Sequence, residues 1–309
     1  MKRFIMLLVL IVSYPASAIL IDAVDDAASK ALANSLPFMG CAALWDVEGG
    51  PRYSGGSGTL VCNNEQNGAW VITAKHAIDD AQGLNVTNFI RYTFEKSYLD
   101  AFPKDTTGYL PDKSIAVVNG KAFFHPTQDI ALAKLERLVY NESGALVMPI
   151  EFYFGSITSN QTILFGGNGQ TGIPSQAGPN GTGYRDGYKR CARGVYDFLM
   201  GSEGVMNFSR SVPLPGIACI ADSGGFAGIE VDGKVQQCGI LVMLYDSGEN
   251  ADTSFEYFGY DPGFFDWMNN LIQENSNITT PTPTPTITAT PTPTPTEHES
   301  AVAAWDIYQ

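Results

Sequence analysis

Three side chains of this sequence have the types needed to hydrolyse an acyl bond: His76, Asp129 and Ser223. A serine hydroxyl is a weak nucleophile until a base accepts its proton, and a carboxylate must orient that base. Ser223 lies in the stretch CIADSGG (residues 219–225), whose glycines predict a sharp turn that presents the hydroxyl. His76 follows the apolar run WVITA, and Asp129 comes directly before IALAKL. The three residues therefore predict a base, an orienting carboxylate and a nucleophile.

Short apolar runs surround all three residues and predict the elements that position them. Between residues 36 and 260, Gly, Pro, Asn and Asp separate runs such as GTLVC, AWVITA, SIAVVNG, TILFGG and CGILVMLY. Many short strands with scarcely any helical periodicity predict an all-β sandwich or barrel architecture. Helical spacing of apolar residues occurs only outside these runs, at 22–36 and 262–274.

Composition excludes several classes of partner. With 309 residues and 44% apolar composition, the chain can bury a large core or two modest ones. A net charge of −14 repels phosphate backbones and anionic lipid, so we expect no nucleic-acid partner. The sequence has no H-E-x-x-H or C-x-x-C spacing, and the literal G-x-G-x-x-G at 167–172 precedes a segment that cannot form a helix. We therefore expect no cofactor and no metal.

Both ends of the chain differ from the middle. Residues 1–18 combine two basic residues, an apolar run and a small-x-small ending, which predicts a signal peptide and secretion to an extracellular or periplasmic space. Residues 275–296 form a Thr-Pro-rich linker and 297–309 a short tail. No apolar run is long enough to span a membrane, and we expect a monomer.

Five cysteines in an exported chain predict disulfides. Two bridges and one remaining thiol would fit, and the sequence leaves their pairing open. The five residues are Cys41, Cys62, Cys191, Cys219 and Cys238.

Several motifs in one order resemble the chymotrypsin/trypsin family of serine proteases over residues 36–274. They are SGGSGTLV, TAKH, DIALAKL, ILFGGNGQT and FFDWMNNLI. The chain order His76, Asp129, Ser223 also matches that family. The resemblance implies two Greek-key six-stranded antiparallel β-barrels packed together, at about 36–150 and 151–260. It also implies a C-terminal helix at 262–274 that packs on the second barrel.

The resemblance implies roles for the residues around Ser223. Backbone N–H groups of Ala221 and Ser223 would form the oxyanion hole, although the family has glycine where Ala221 stands. If the loop keeps the family shape, Ala221 stores roughly 1–2 kcal/mol of strain; if its peptide flips, one donor is lost at a cost of about 10²–10³ in rate.

The resemblance also implies a substrate specificity and a disulfide pairing. The base of the specificity pocket, acidic in enzymes that cut after Lys or Arg, is Ile217 here. We therefore expect a preference for apolar or small residues before the scissile bond. Cys219 would pair with Cys191 or Cys238, and His125 would be a surface residue. The other predicted pocket residues are Ala218, Val242, Met243 and Leu244.

Activation leaves two alternatives open. In the family a freed apolar N-terminus pairs with the aspartate before the serine, here Asp222. Signal cleavage would expose Ile19 for this purpose, whereas 19–35 would alternatively be a removed pro-segment. The competing interpretations of the whole chain are a protease-like binding or adhesion module with little catalysis, and an esterase that uses the same three residues.

Overall fold

The computed structural model describes residues 19–22, 24–45, 51–52, 56–79, 90–102, 110, 112–169, 172, 186–219, 221–245 and 251–276. The side chains of 43–45, 51–52 and 243–245 lie outside that description. All described residues belong to one compact unit. The predicted signal peptide, the tail and the linker from residue 277 onward lie outside the described residues.

The N-terminal segment contains a short strand and a helix, β1 (Leu20–Ile21) and α1 (Asp26–Asn34). The helix confirms the periodicity seen at 22–36, although it is shorter than that stretch. Ala33 is fully buried, and the Ser29 hydroxyl donates a 2.6 Å hydrogen bond to the carbonyl of Cys191. The segment is therefore packed into the body of the protein.

The first barrel is a closed antiparallel sheet of six strands. Its strands are β2 (Met39–Trp45), β4 (Ser57–Asn64), β5 (Gly68–Ala74), β6 (Ile90–Thr93), β7 (Ile115–Phe124) and β8 (Ile130–Leu135), with β3 (Pro51–Arg52) paired to β2. Their order is β2-β4-β5-β8-β7-β6, and pairing of β2 with β6 closes the ring. Closure removes the exposed strand edges that an open sheet would leave.

The second barrel is also a closed antiparallel ring of six strands. Its strands are β10 (Thr162–Gly167), β11 (Arg190–Met200), β12 (Glu203–Asn207), β14 (Phe226–Val231), β15 (Lys234–Tyr245) and β16 (Asp252–Tyr257). The order is β14-β10-β11-β12-β16-β15, and pairing of β14 with β15 closes it. Two short strands lie outside the ring: β9 (Glu151–Phe152) runs parallel to β15, and β13 (Gly216–Ile217) pairs with β1.

A C-terminal helix, α2 (Phe264–Glu274), follows the second barrel. Its buried face consists of Phe264, Met268 and Ile272, which confirms the helical spacing of apolar residues. This face joins a core cluster that contains Trp70 of the first barrel and Phe226 of the second, so the helix contacts both barrels and not the second alone. Lys121 of β7 also donates to the side-chain oxygen of Asn275 at 2.6 Å. Together with the two closed rings, the helix confirms the predicted fold class.

An ion-pair network fastens α1 to the second barrel. The guanidinium of Arg190, only 1% exposed, donates to Asp26 at 2.7 Å and to Asp186 at 2.6 Å. Lys30 lies 2.8 Å from Asp26 and 2.9 Å from Asp186. Burial alone would raise the pKa of Asp186, but hydrogen bonds from Arg190 and Lys30 outweigh it and lower that pKa to about 2. The ionised carboxylate is therefore the form that stabilises the fold.

We expect this network to make stability depend on acid. Because the pKa of Asp186 is lower in the folded than in the unfolded chain, its contribution is complete above about pH 4 and is lost as pH falls toward 2. Asp186→Asn should remove about 1–2 kcal/mol of unfolding free energy at pH 6 and progressively less toward pH 2. Denaturant titrations between pH 6 and 2 measure the difference. Glu136→Gln, at an exposed position, is the control, and a gap that stays constant with pH would contradict the assignment.

The structure contains no disulfide among the five cysteines, contrary to the prediction. All five thiols are buried, and they lie in different surroundings. The thiol of Cys191 lies 3.5 Å from the sulfur of Met39, whereas Cys238 donates to the carbonyl of Ala227 at 3.4 Å in the core of the second barrel. Cys219 belongs to a separate small cluster, so neither pairing implied for it is formed. Burial raises the pKa of Cys191 and of Cys238.

Candidate active site

The pairing of β5 with β8 brings His76 and Asp129 together. In this antiparallel pair Ala74, the last residue of β5, is opposite Ile130, the first residue of β8. His76 lies in the 3-10 helix Lys75–Ala77 that continues β5, and Asp129 directly precedes β8. Two residues far apart in the chain are therefore neighbours at one end of the first barrel.

Asp129 is held by contacts from several directions. Its carboxylate accepts a hydrogen bond from the backbone N–H of His76 at 2.9 Å and contacts Nδ1 of the same histidine. Its carbonyl accepts from the N–H of Lys75 at 3.1 Å, and its own N–H donates to Glu256 Oε1 at 3.1 Å. Contact of the carboxylate with Nδ1 favours the tautomer in which Nε2 is free to accept a proton.

Ser223 lies in the tight turn between β13 and β14. The following residue, Gly224, has φ +84°, and a Cβ there would lie 2.1 Å from Thr73 Oγ1 and 2.8 Å from the Ala74 nitrogen. The turn can therefore press against the end of β5 only because residue 224 is glycine. The carbonyl of Ser223 also accepts from the N–H of Ser57 at 2.7 Å. These contacts place the serine turn against the strand that leads to His76.

The Ser223 hydroxyl donates to the carbonyl of Val242 at 3.4 Å. Within the described part of the chain, no hydrogen bond joins this hydroxyl to His76. Serine occupies staggered χ1 rotamers, and catalytic hydrogen bonds often form only when substrate is bound. A proton transfer to the imidazole would require the hydroxyl to leave the Val242 carbonyl.

Ala221 adopts a left-handed backbone conformation, with φ +69°. Of the two alternatives for this position, the structure therefore contains the strained one. Its carbonyl accepts from the Ser57 hydroxyl at 3.3 Å. Among the described residues, neither the N–H of Ala221 nor that of Ser223 donates to a protein acceptor.

We expect Ala221→Gly to stabilise the protein. Glycine relieves roughly 1–2 kcal/mol of left-handed strain in the folded state. Its greater freedom in the unfolded chain lowers stability by about 0.4–1 kcal/mol, so the net gain in unfolding free energy is about 1 kcal/mol. Denaturant unfolding at neutral pH measures this gain. Ala145→Gly, at an exposed loop position without positive φ, should change stability in the opposite direction. A loss of stability in both variants would contradict the strain at Ala221.

Asp222 and Ile19, the predicted activation partners, both lie in the interior. Asp222 is 1% exposed, and its carboxylate accepts from the N–H groups of Gly169 at 2.9 Å and Cys219 at 2.8 Å. Ile19 is fully buried in the core of the second barrel, in one cluster with Ala218. The N-terminal strand therefore packs close to the chain segment that leads into the serine turn.

The predicted pocket residues are only partly brought to Ser223. Ile217 and Ala218 are buried against the N-terminal segment: Ile217 is in register with Leu20, and Ala218 packs in the cluster of Ile19. Val242, 7% exposed, contacts the Ser223 hydroxyl through its carbonyl. The side chains of the remaining two, Met243 and Leu244, lie outside the described residues.

A cavity of about 410 Å³ borders the His76–Asp129 pair. His125 also lines this cavity. It was predicted to be a surface residue, and that prediction is wrong, because His125 is only 3% exposed. Its ring meets Trp267 edge-on at 4.8 Å, and its Nε2 lies 3.5 Å from the Asp261 carboxylate. Burial lowers the pKa of His125, with Asp261 opposing the shift.

Gln128 and Glu256 also contact the site, and neither was predicted from the sequence. Gln128 donates to the Glu256 carboxylate at 3.1 Å, and Glu256 accepts the Asp129 N–H. Glu256 lies in the alternating strand TSFEY, where nothing in the sequence separates it from a solvent-facing glutamate. Only the barrel geometry identifies its neighbours.

The described residues lack two further features. They hold no group of three His, Cys, Asp or Glu side chains that could hold a metal ion. No helix among them has the length and apolar character to cross a membrane.

Similarity to known proteins supports the fold and nothing further. No family model matches the chain, and no curated protein matches its sequence. Among solved structures, a mutant of human heparin-binding protein (CAP37) is similar, with a TM-score of 0.53 and 13% sequence identity over 77% of this chain and 92% of that one. The two closed barrels and this similarity define a chymotrypsin-like fold.

Proposed function

We propose that the protein is a secreted serine endopeptidase in which Ser223, His76 and Asp129 act as nucleophile, general base and orienting carboxylate. The contact between His76 and Asp129, beside a turn that presents Ser223, is the observation that carries the proposal. The active chain comprises residues 36–274 together with the packed N-terminal segment. Its partners are protein or peptide substrates, it acts as a monomer, and it needs no cofactor.

The reaction follows from this arrangement. The Ser223 oxygen attacks the carbonyl carbon of a peptide bond while Nε2 of His76 takes the hydroxyl proton. Collapse of the tetrahedral intermediate breaks the C–N bond, and the same proton passes to the leaving amine. Water, deprotonated by His76, then attacks the acyl-enzyme and releases Ser223 and the carboxylic acid. Asp129 stabilises the charged imidazolium in both halves of the reaction.

The N–H groups of Ala221 and Ser223 serve as the oxyanion hole. Neither is taken by a protein acceptor in the described residues, and donors already in place are worth most where charge develops in the transition state. The strain at Ala221 is the energetic cost of holding one of these donors in position.

Ile19 serves as the mature N-terminus. Cleavage after residue 18 frees its ammonium, which pairs with the buried Asp222. Retention of residues 19–35 is supported by the ion pair between Asp26 and the buried Arg190 and by the Ser29 hydrogen bond, both of which would be lost if the segment were removed. N-terminal sequencing of the active form should begin at Ile19, and a start inside α1 would contradict this.

A binding module is the second candidate, favoured by the Ser223 hydroxyl that contacts Val242 instead of His76. The similar solved structure is, by its title, a heparin-binding protein. Heparin is a polyanion, and the net charge of −14 on this chain opposes the same ligand here.

Peptide hydrolysis tests both the function and the specificity. Processed protein is incubated with peptides that differ only in the residue before the scissile bond: Phe, Leu, Ala, Lys or Arg. We expect cleavage after the apolar and small residues, because Val242, the predicted pocket residue that contacts Ser223, is apolar and would leave a buried cation without a partner. Ser223→Ala should abolish cleavage, whereas Ser159→Ala, at an exposed position, should not. Fastest cleavage after Arg would contradict the specificity, and equal cleavage by Ser223→Ala would contradict the function.

A further inference from the structure

Glu256 reaches from the second barrel to the residue that orients His76. It lies in β16, is 4% exposed, and its Oε1 accepts the backbone N–H of Asp129 at 3.1 Å. Its Oε2 accepts from Nε2 of Gln128 at 3.1 Å, and that amide also donates to the Tyr257 carbonyl at 3.2 Å. Both residues immediately before β8 are therefore hydrogen-bonded to the opposite barrel.

A carboxylate at this position is costly unless donors surround it. Burial raises the pKa of Glu256, while hydrogen bonds from the Asp129 N–H, Ser202 and Gln128 oppose the rise and the nearby Glu203 adds to it. Three donors thus converge on one buried acid. An apolar side chain in its place would leave the Asp129 N–H without its acceptor.

The reacting groups come from both barrels, so the hydrogen bond between Glu256 and Asp129 bears on their relative position. His76 and Asp129 belong to the first barrel, and Ser223 belongs to the second. A displacement of about 1 Å between reacting groups costs on the order of 10²-fold in rate. A hydrogen bond from Asp129 to a strand of the second barrel limits that displacement directly.

We propose that Glu256 is a positioning residue that fixes Asp129, and through it His76, relative to the barrel that carries Ser223. Glu256 touches neither substrate nor the reacting atoms. The proposal rests on the proposed hydrolytic function for its kinetic consequences, but the hydrogen bond between His76 and Asp129 can be observed without catalysis.

The kinetic test compares Glu256→Ala and Glu256→Gln in the full processed chain. Loss of the acceptor in Glu256→Ala should lower kcat about 10–100-fold with KM changed less than about twofold. Glu256→Gln keeps an oxygen that can accept the Asp129 N–H and should recover most of kcat. Glu230→Gln, an exposed glutamate of the same barrel that pairs with Arg193, is the matched control and should keep the wild-type kcat. If the alanine variant does not fold, Glu256→Asp, one methylene shorter, withdraws the acceptor while keeping the charge.

The spectroscopic test observes the low-field proton NMR signal of the His76 Nδ1–H that is bonded to Asp129. We expect this signal to weaken through exchange with water in Glu256→Ala and to persist in Glu256→Gln and Glu230→Gln. A changed signal in a protein whose wild type hydrolyses no peptide would leave this inference standing while the proposed function fails. An unchanged signal and an unchanged kcat in folded Glu256→Ala would overturn the inference, even if the unfolding midpoint falls. A glutamine variant as impaired as the alanine variant would overturn it as well.

Discussion

Asp129→Asn should lower kcat by about 10⁴-fold while the protein stays folded. An asparagine amide can donate to Nδ1 of His76, which favours the tautomer whose Nε2 carries a proton and cannot act as a base. The backbone contacts of residue 129 to Lys75 and Glu256 do not involve its side chain, so the local fold should remain. Steady-state hydrolysis of an apolar peptide measures the effect.

Asp79→Asn is the matched control for this substitution. Asp79 lines the same cavity as His76 and Asp129, but it is exposed and lies outside the His–Asp contact. We expect its kcat to stay within a few-fold of wild type. A similar small loss in both variants would mean that Asp129 acts only as one more negative charge near the histidine, and the orienting role would be wrong.

Gly56→Ala should damage both activity and stability, because this glycine lies where the two barrels meet at the site. A Cβ at residue 56 would lie 2.4 Å from the carbonyl oxygen of Ser223 and 2.9 Å from the Cβ of Ala77. Neither neighbour is the flexible end of a long side chain, so the serine turn and the histidine helix would have to separate. We expect a loss of about 1–3 kcal/mol in unfolding free energy and about 10²-fold in kcat.

Gly263→Ala separates this steric effect from the general effect of replacing glycine. Gly263 precedes α2 with φ −86°, and the nearest atom to an added Cβ is a side-chain oxygen of Asp261 at 3.3 Å. Its stability and kcat should stay close to wild type. Full activity in Gly56→Ala, measured alongside, would contradict the placement of Ser223 against the His76 segment.

Much of the fold was predictable because it depends on local patterns. Short apolar runs separated by turn residues predicted the strands, and the spacing that includes Phe264 and Met268 predicted α2 with its buried face. The turn around Ser223 was predictable from Gly224, whose positive φ and close approach to Thr73 require that residue type.

The features that sequence could not supply all depend on contacts between distant segments. His125 is buried because Trp267, at the far end of the chain, packs against it. The predicted disulfides failed because Cys219 and Cys238 lie in separate clusters, which no spacing in the sequence reveals. Glu256 looks like any surface glutamate until β16 is placed beside Asp129.

The most direct measurement of the central claim is covalent labelling of Ser223 by a fluorophosphonate. The processed protein is incubated with the probe, its intact mass is measured, and the modified peptide is mapped, with Ser223→Ala beside it. Such probes react with a serine whose proton a neighbouring base accepts and whose developing oxyanion is stabilised. We predict one adduct, on Ser223, in the wild type and none in the variant. A folded, correctly processed protein that gains no adduct would contradict an activated serine and leave the binding module as the function of this fold.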